Sequence, residues 1–255
     1  MRFASLGSGS KGNALLIEAG NTLIVLDCGF GLAEVSTRMA RLGVACDDLD
    51  AIIVTHEHGD HGGGVGKLST RHDIPVYLTR GTFSGLGADV GPLASHRFID
   101  AYTPFAIGDI EVRPYTVPHD AREPVQFVLS DGAARLGVLT DTGCPTPHIT
   151  QALSGVEALV LECNHDYDML MNGPYPASLK RRIGGRLGHL SNEAAGEIVK
   201  AMDCSRLQHV LAAHLSEKNN TPALARTALA GALNCAPDWI GIATQESGFA
   251  WREIR

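Results

Sequence analysis

Thr55-His56-Glu57-His58-Gly59-Asp60-His61 is the stretch on which the reading of this chain turns. It follows the apolar run Ala51-Ile52-Ile53-Val54, which reads as a short buried strand, and it runs into Gly62-Gly63-Gly64. Four ligand-type side chains crowd between an apolar strand and a glycine run. Buried imidazoles and carboxylates cost free energy unless they are paired or hold a metal. His56 and His58 stand two apart, so on extended backbone they point to the same side. Asp60 and His61 lie past the next bend and aim at a neighbouring point. One loop thus offers two pairs of ligands for two ions, and its glycines let the backbone turn tightly beside them.

Outward from this loop, the same motif of an apolar strand ending at a polar residue recurs. Residues 13–19 and 22–27 predict two strands around the turn Gly20-Asn21. Leu32, Val35, Met39 and Leu42 carry the spacing of an amphipathic helix over 32–42. Helical residues are expected near 61–72 and a strand at 75–78. A strand over 110–117 leads to His119. Residues 125–129 and 135–140 predict a hairpin around Asp131-Gly132, its second strand ending at Asp141. Then come a helix at 147–153 and a strand at 158–161. A helix over 191–203 is capped by Ser191. The strand 210–213 ends at His214, and a helix at 222–233 and a terminal strand pair around 239–254 close the chain.

Strands dominate both halves with helices between them, and no repeat period stands out. The expected architecture is therefore an α/β fold of the αββα sandwich type, two facing sheets with helices outside, in one domain spanning 1–255. Strand ends on one rim of such a sandwich converge in space. Asp141 is then the bridging carboxylate, His119 completes the first site and His214 the second, with His165 as the alternative to His214. Ions roughly 3.5–4 Å apart can hold a hydroxide between them.

Composition sets the surroundings. A chain of 255 residues buries roughly three quarters of its unfolded surface, enough for a full core without staples. No run approaches the ~20 apolar residues of a membrane span, and the start lacks a signal-peptide pattern. Six scattered cysteines read as thiols of a reducing compartment. The expectation is a soluble, cytoplasmic protein without a membrane partner. The net charge of −7 argues against a broad basic nucleic-acid surface, though not against a local one.

The ordered set His56, His58, Asp60, His61, His119, Asp141 and His214 resembles the metal motifs of the metallo-β-lactamase-fold superfamily. Position 58 is His where the diiron flavoproteins of that fold carry Glu, which favours hydrolysis. Position 141 is Asp where the common zinc β-lactamases carry Cys. A nitrogen and oxygen ligand set suits Zn²⁺ or Mn²⁺, with Fe as an alternative. Further strings narrow the likeness: Ser5 to Asn13, Leu161 to Asp166, Gly188 to Asn192 and His214 to Asn220. Together they resemble the YycJ/WalJ-like branch, similar to the RNase J and CPSF nucleases without their inserted domain. The resemblance implies two divalent ions and a 5′-to-3′ exonuclease acting on DNA.

Each remaining string has a plain reading beside a functional one. Gly7 to Asn13 is either a glycine-serine turn or a nest of N–H groups for phosphate, with Ser10 and Asn13 facing the cleft and Lys11 on a phosphate. Glu162, Asn164 and His165 share a strand end, and Glu162 is expected to orient a ligand histidine. His189 either caps a helix entry or contacts the scissile phosphate and protonates the leaving oxygen. Lys180, Arg181, Arg182 and Arg186 form either a solvated face or a guide for the nucleic-acid backbone. In the expected reaction the ions activate a water, Asp60 accepts its proton and the hydroxide attacks phosphorus. Two rivals stay open: a glyoxalase-II-like thioester or lactone hydrolase, and a regulatory metal-binding protein without turnover. The sequence names no protein partner.

Overall fold

The structure is a computed structural model that describes residues 1–255 apart from the Asp89 side chain. Its first six strands are β1 (Arg2–Gly7), β2 (Ala14–Ala19), β3 (Thr22–Leu26), β4 (Ala51–Ile53), β5 (Pro75–Leu78) and β6 (Ser95–Phe98). The next seven are β7 (Phe105–Ile107), β8 (Ile110–Thr116), β9 (Val125–Ser130), β10 (Arg135–Leu139), β11 (Ala158–Glu162), β12 (His209–Ala213) and β13 (Gly241–Ile242), and β14 (Phe249–Glu253) is last. Among the described residues they make two seven-stranded sheets, ordered β14-β1-β2-β3-β4-β5-β6 and β13-β12-β11-β10-β9-β8-β7. The helices are α1 (Leu32–Ala40), α2 (Gly59–Gly62), α3 (Val65–His72), α4 (Arg80–Gly85), α5 (Pro147–Leu153), α6 (Tyr167–Asn172), α7 (Ala177–Ile183), α8 (Asn192–Ala201) and α9 (Pro222–Leu233).

Three apolar layers explain why so many strands are apolar at every position. Ile17, Ile24, Ile53, Phe127, Leu136 and Val160 meet between the sheets. Their neighbours Leu16, Val25 and Ile52 face the other way, onto Val35, Met39 and Leu68 of α1 and α3. Leu159, Leu161 and Val210 face outward onto Ile149, Ile198 and Leu229 of α5, α8 and α9. A strand buried on both faces loses the apolar–polar alternation and reads as a continuous apolar run. Each fully buried Leu, Ile or Phe contributes roughly 1.5–3 kcal/mol, so this αββα core is the main source of stability.

The helix expected at 61–72 is split into α2 and α3. A Cβ at Gly64 would lie 1.9 Å from the carbonyl oxygen of Phe30, so the chain passes there only as glycine. The terminal strand pair is not a hairpin. β13 joins β12 in the second sheet while β14 joins β1 in the first, and the chain crosses between sheets at residues 243–248. β6 and α7 escape sequence reading for one reason: β6 is exposed at all four positions and α7 buries no residue, so neither shows periodicity.

β3, β4 and β5 run parallel, as do β10, β11 and β12. The carboxyl ends of both sets open on one rim, where Asp27, the histidine loop, Asp141, Glu162 and His214 follow in turn. Asp27, Asp141 and His214 adopt φ of +62°, +52° and +55° directly after their strands. A left-handed residue costs roughly 1–2 kcal/mol outside glycine. Such strain gathers where a side chain must be turned back over a site.

Candidate metal centre

Two clusters of ligand atoms form at this rim. In the first, His56 Nε2 and His119 Nε2 lie 3.0 and 3.2 Å from His58 Nδ1. In the second, Asp60 Oδ2 lies 3.3 Å from His214 Nε2 and 3.6 Å from His61 Nε2. Asp141 stands between them, its Oδ2 in contact with His61 Nε2 and 3.9 Å from His56 Nε2. Tetrahedral zinc with Zn–N near 2.0–2.1 Å implies nitrogens about 3.3 Å apart, close to the spacing of the first cluster. Both Asp141 oxygens are buried, and among the described residues no donor approaches them along a hydrogen-bonding direction. Buried carboxylate oxygens are normally satisfied, and a cation would satisfy these.

The proton positions agree with that fit. His119 Nδ1 donates to the Gly188 carbonyl at 3.0 Å, which leaves Nε2 bare toward the cluster. His61 Nδ1 donates to Asp27 Oδ2 at 2.7 Å, which aims Nε2 at the second cluster. Thr55 Oγ1 donates to Asp27 Oδ2 at 2.8 Å and so accepts from His56 Nδ1 at 2.9 Å. Fixing the outer nitrogen in this way sets the tautomer of a ligating imidazole. Burial pushes His56 well below its ordinary pKa and lowers His119, so both are neutral and able to ligate. Burial also acts downward on His61 and His214. There the facing carboxylates outweigh it, holding His61 well above its ordinary value and His214 at about 9. Burial would raise Asp60 and Asp141, yet the adjacent His61 and His214 hold both below the usual carboxylate range. Acids this dense require positive charge. In the protein alone imidazolium protons supply it, and divalent ions can replace them.

His189 forms the next layer. Its Nδ1 lies 2.7 Å from Glu162 Oε1 and 2.9 Å from Asp141 Oδ1. Burial acts downward on this group, but the two carboxylates prevail and hold it at about 11. Glu162 also accepts from the Thr142 and Leu190 N–H groups and comes within 3.4 Å of His214 Nδ1. It therefore fixes His189 first and borders His214. Asn164 donates to the His214 carbonyl at 3.0 Å. His165 is buried but belongs to neither cluster, so the geometry selects His214 over it.

In the loop from Gly7 to Asn13 the hydrogen bonding favours the plain turn over the phosphate nest. The N–H groups of Gly7, Ser8, Gly9, Lys11, Gly12 and Asn13 all donate to protein acceptors. The loop is a clamp instead: Asn13 Nδ2 reaches the Asp60 carbonyl at 3.2 Å and lies 3.1 Å from His61 Nε2. Ser10 is exposed and lines the cleft. Lys11 does not, because its Nζ is paired with Glu217 at 2.6 Å.

The cleft has a volume of about 410 Å³. His58, Asp60, Asp141, His214 and His189 line it together with Tyr175, Leu179, Arg182 and Ile183. Of the basic run only Arg182 lines it. Arg181 and Arg186 are exposed elsewhere, and Lys180 Nζ donates to the Met171 carbonyl. Sequence reasoning missed Asp27 and Asp120. Asp27 follows an apolar strand as Asp141 does, a signal that was legible. Asp120 faces the cleft, 3.5 Å from His119 Nε2 and 2.8 Å from Arg182 Nε, and only the fold reveals it.

The sequence profile of the family described as a beta-lactamase superfamily domain matches residues 22–214. The chain belongs to the metallo-β-lactamase superfamily. Exodeoxyribonuclease YycJ of Bacillus anthracis is 35% identical over 240 residues, covering 91% of this chain and 89% of the relative. Exodeoxyribonuclease WalJ of Streptococcus pneumoniae is 30% identical over 246 residues, 94% and 91% of the two chains. The crystal structure of the metallo-β-lactamase fold protein YhfI from Bacillus subtilis superposes with a TM-score of 0.74 at 18% identity, covering 99% of both chains. Members of the superfamily use divalent metals, and this metallo-β-lactamase chain is a hydrolase with the clusters to hold them. Among the described residues, no helix is long and apolar enough to cross a membrane.

Proposed function

We propose that this metallo-β-lactamase protein is a phosphodiesterase that removes nucleotides from DNA in the 5′-to-3′ direction. His56, His58 and His119 would hold one divalent ion and Asp60, His61 and His214 a second, with Asp141 placed to serve both. The ions are Zn²⁺ or Mn²⁺, as the nitrogen and oxygen donors suit both. Relatives named exodeoxyribonucleases over nine tenths of the chain support the nucleic-acid reading. Six free cysteines support a reducing, cytoplasmic setting.

His189 carries the choice of substrate class. It lines the cleft and is held protonated by Glu162 and Asp141. An alkoxide leaving from phosphorus needs a proton, whereas a thiolate leaving from a thioester does not. When bound, divalent ions lower the pKa of a water and neutralise phosphate charge. Around them the protein supplies the acid and the base. Asp60, at the cleft floor, accepts the proton of the attacking water. His189 protonates the leaving oxygen, and Glu162 keeps its imidazole charged and oriented.

The test is hydrolysis by Mn²⁺- and Zn²⁺-loaded protein of 5′-phosphorylated single- and double-stranded DNA, RNA and thioesters. Nucleotide release from the DNA 5′ end is expected, abolished in His58→Ala and Asp141→Ala variants that keep the parent's circular dichroism. Thioester hydrolysis without DNA cleavage would establish the glyoxalase-like rival. Full metal occupancy with no turnover would establish the regulatory one.

A further inference from the structure

α7 is unusual among the helices of this protein because it buries none of its residues. It contributes little to the core, yet three of its residues line the cleft. Leu179, Arg182 and Ile183 from α7, with Tyr175 just before it, line the same cleft as His189 and His214. This lining combines a half-buried aromatic ring, two aliphatic chains and a guanidinium. At about 410 Å³ the space is near the lower end of the roughly 300–1,000 Å³ range of sites that enclose a small organic molecule. It has room for about one nucleotide.

Charge on this lining has the matching sign. The Arg182 side chain is 64% exposed and is held toward the cleft by the Nε contact to Asp120 Oδ2 at 2.8 Å. Lys218 Nζ lies 5.5 Å from the centre of the Tyr175 ring. Arg182 in the cleft lining and Lys218 beside Tyr175 thus bring two cations to this region of a chain whose net charge is −7. Asp120 is an anion beside Arg182 and also lies 3.5 and 3.7 Å from His119 and His58. Its carboxylate rests where a substrate phosphate would compete for the guanidinium.

We propose that this lining is the subsite for the terminal nucleotide of a DNA strand, with Tyr175 stacked on the base and Arg182 exchanging Asp120 for the 5′ phosphate. The proposal rests on the phosphodiesterase reading and adds to it the groups that select the strand end. Base stacking on an aromatic ring tolerates every base, so the subsite reads the end and not the sequence. The guanidinium fork binds phosphate oxygens in pairs, which a 5′-hydroxyl end cannot offer.

The experiment compares Tyr175→Ala, Tyr175→Phe and Arg182→Ala, each loaded with Mn²⁺, on single-stranded oligonucleotides with 5′-phosphate or 5′-hydroxyl ends. Melting temperature and metal content equal to the parent's establish that each variant is folded and loaded. Tyr175→Ala is expected to raise KM about tenfold with a smaller change in kcat, and Tyr175→Phe to restore it. Arg182→Ala is expected to bring the parent's preference for 5′-phosphate ends down to about one. A parent without end preference, an unchanged KM in Tyr175→Ala, or an undiminished preference in Arg182→Ala overturns the proposal while leaving the phosphodiesterase reading standing. A parent that cleaves no DNA removes both.

Discussion

Asp27 joins two of the imidazoles of the metal centre without touching the cleft. Its Oδ2 takes the His61 Nδ1 proton, and through Thr55 it sets the tautomer of His56. Partners of this kind change metal affinity by roughly 10–100-fold when removed. Asp27→Ala should weaken Zn²⁺ binding by that factor in chelator competition, with the secondary structure retained. An affinity equal to the parent's would mean that the ligands orient themselves. The proposed ligand residues stand out in the sequence because each follows an apolar strand, a local pattern. Asp120 does not, nor does the pairing of Lys11, because their settings depend on Arg182 and Glu217, 62 and 206 residues away.

At the scale of elements, legibility followed burial. Strands sealed on both faces announced themselves as apolar runs, and α8 began where Ser191 caps it, accepting the Ala194 N–H at 3.2 Å. α7 carries its information in charge. Lys180, Arg181 and Arg182 occupy its last turn, where cations also suit the helix dipole. Arg182 lines the cleft and Arg181 is exposed next to it in the chain, outside the cleft lining. Reversing Arg181 and Arg182 to Glu should weaken DNA binding and reduce the slope of log K against log salt by about 1 to 2, measured by fluorescence anisotropy. An unchanged slope would return α7 to the status of a solvated surface.

In the molecule as a whole, the αββα arrangement could be read from the order of strands and helices. The separation of β13 and β14 into different sheets could not, because a two-residue strand leaves no pattern. Ligands to the proposed ions come from both sheets, Asp60 and three histidines from the first, His119, Asp141 and His214 from the second. Bound ions would therefore tie the sheets at their rim. A ligand at a hundred times its Kd stabilises by about 2.7 kcal/mol. For a chain of this size that corresponds to roughly 5–10 °C in Tm. Calorimetry after exhaustive chelation should show a fall of that order, reversed by Mn²⁺ or Zn²⁺. An identical Tm would place the ions outside the load-carrying structure.

The crossing between the sheets bears on how the protein is born. Thr244 and Gln245 anchor Ser8, Lys11 and Gly12, and β14 covers the open edge of β1. A nascent chain has all its proposed ligands once His214 has left the ribosome, yet the residues that anchor the amino-terminal clamp follow some thirty residues later. A chain interrupted between the two would carry every proposed ligand on a rim whose amino-terminal loop has lost its anchor.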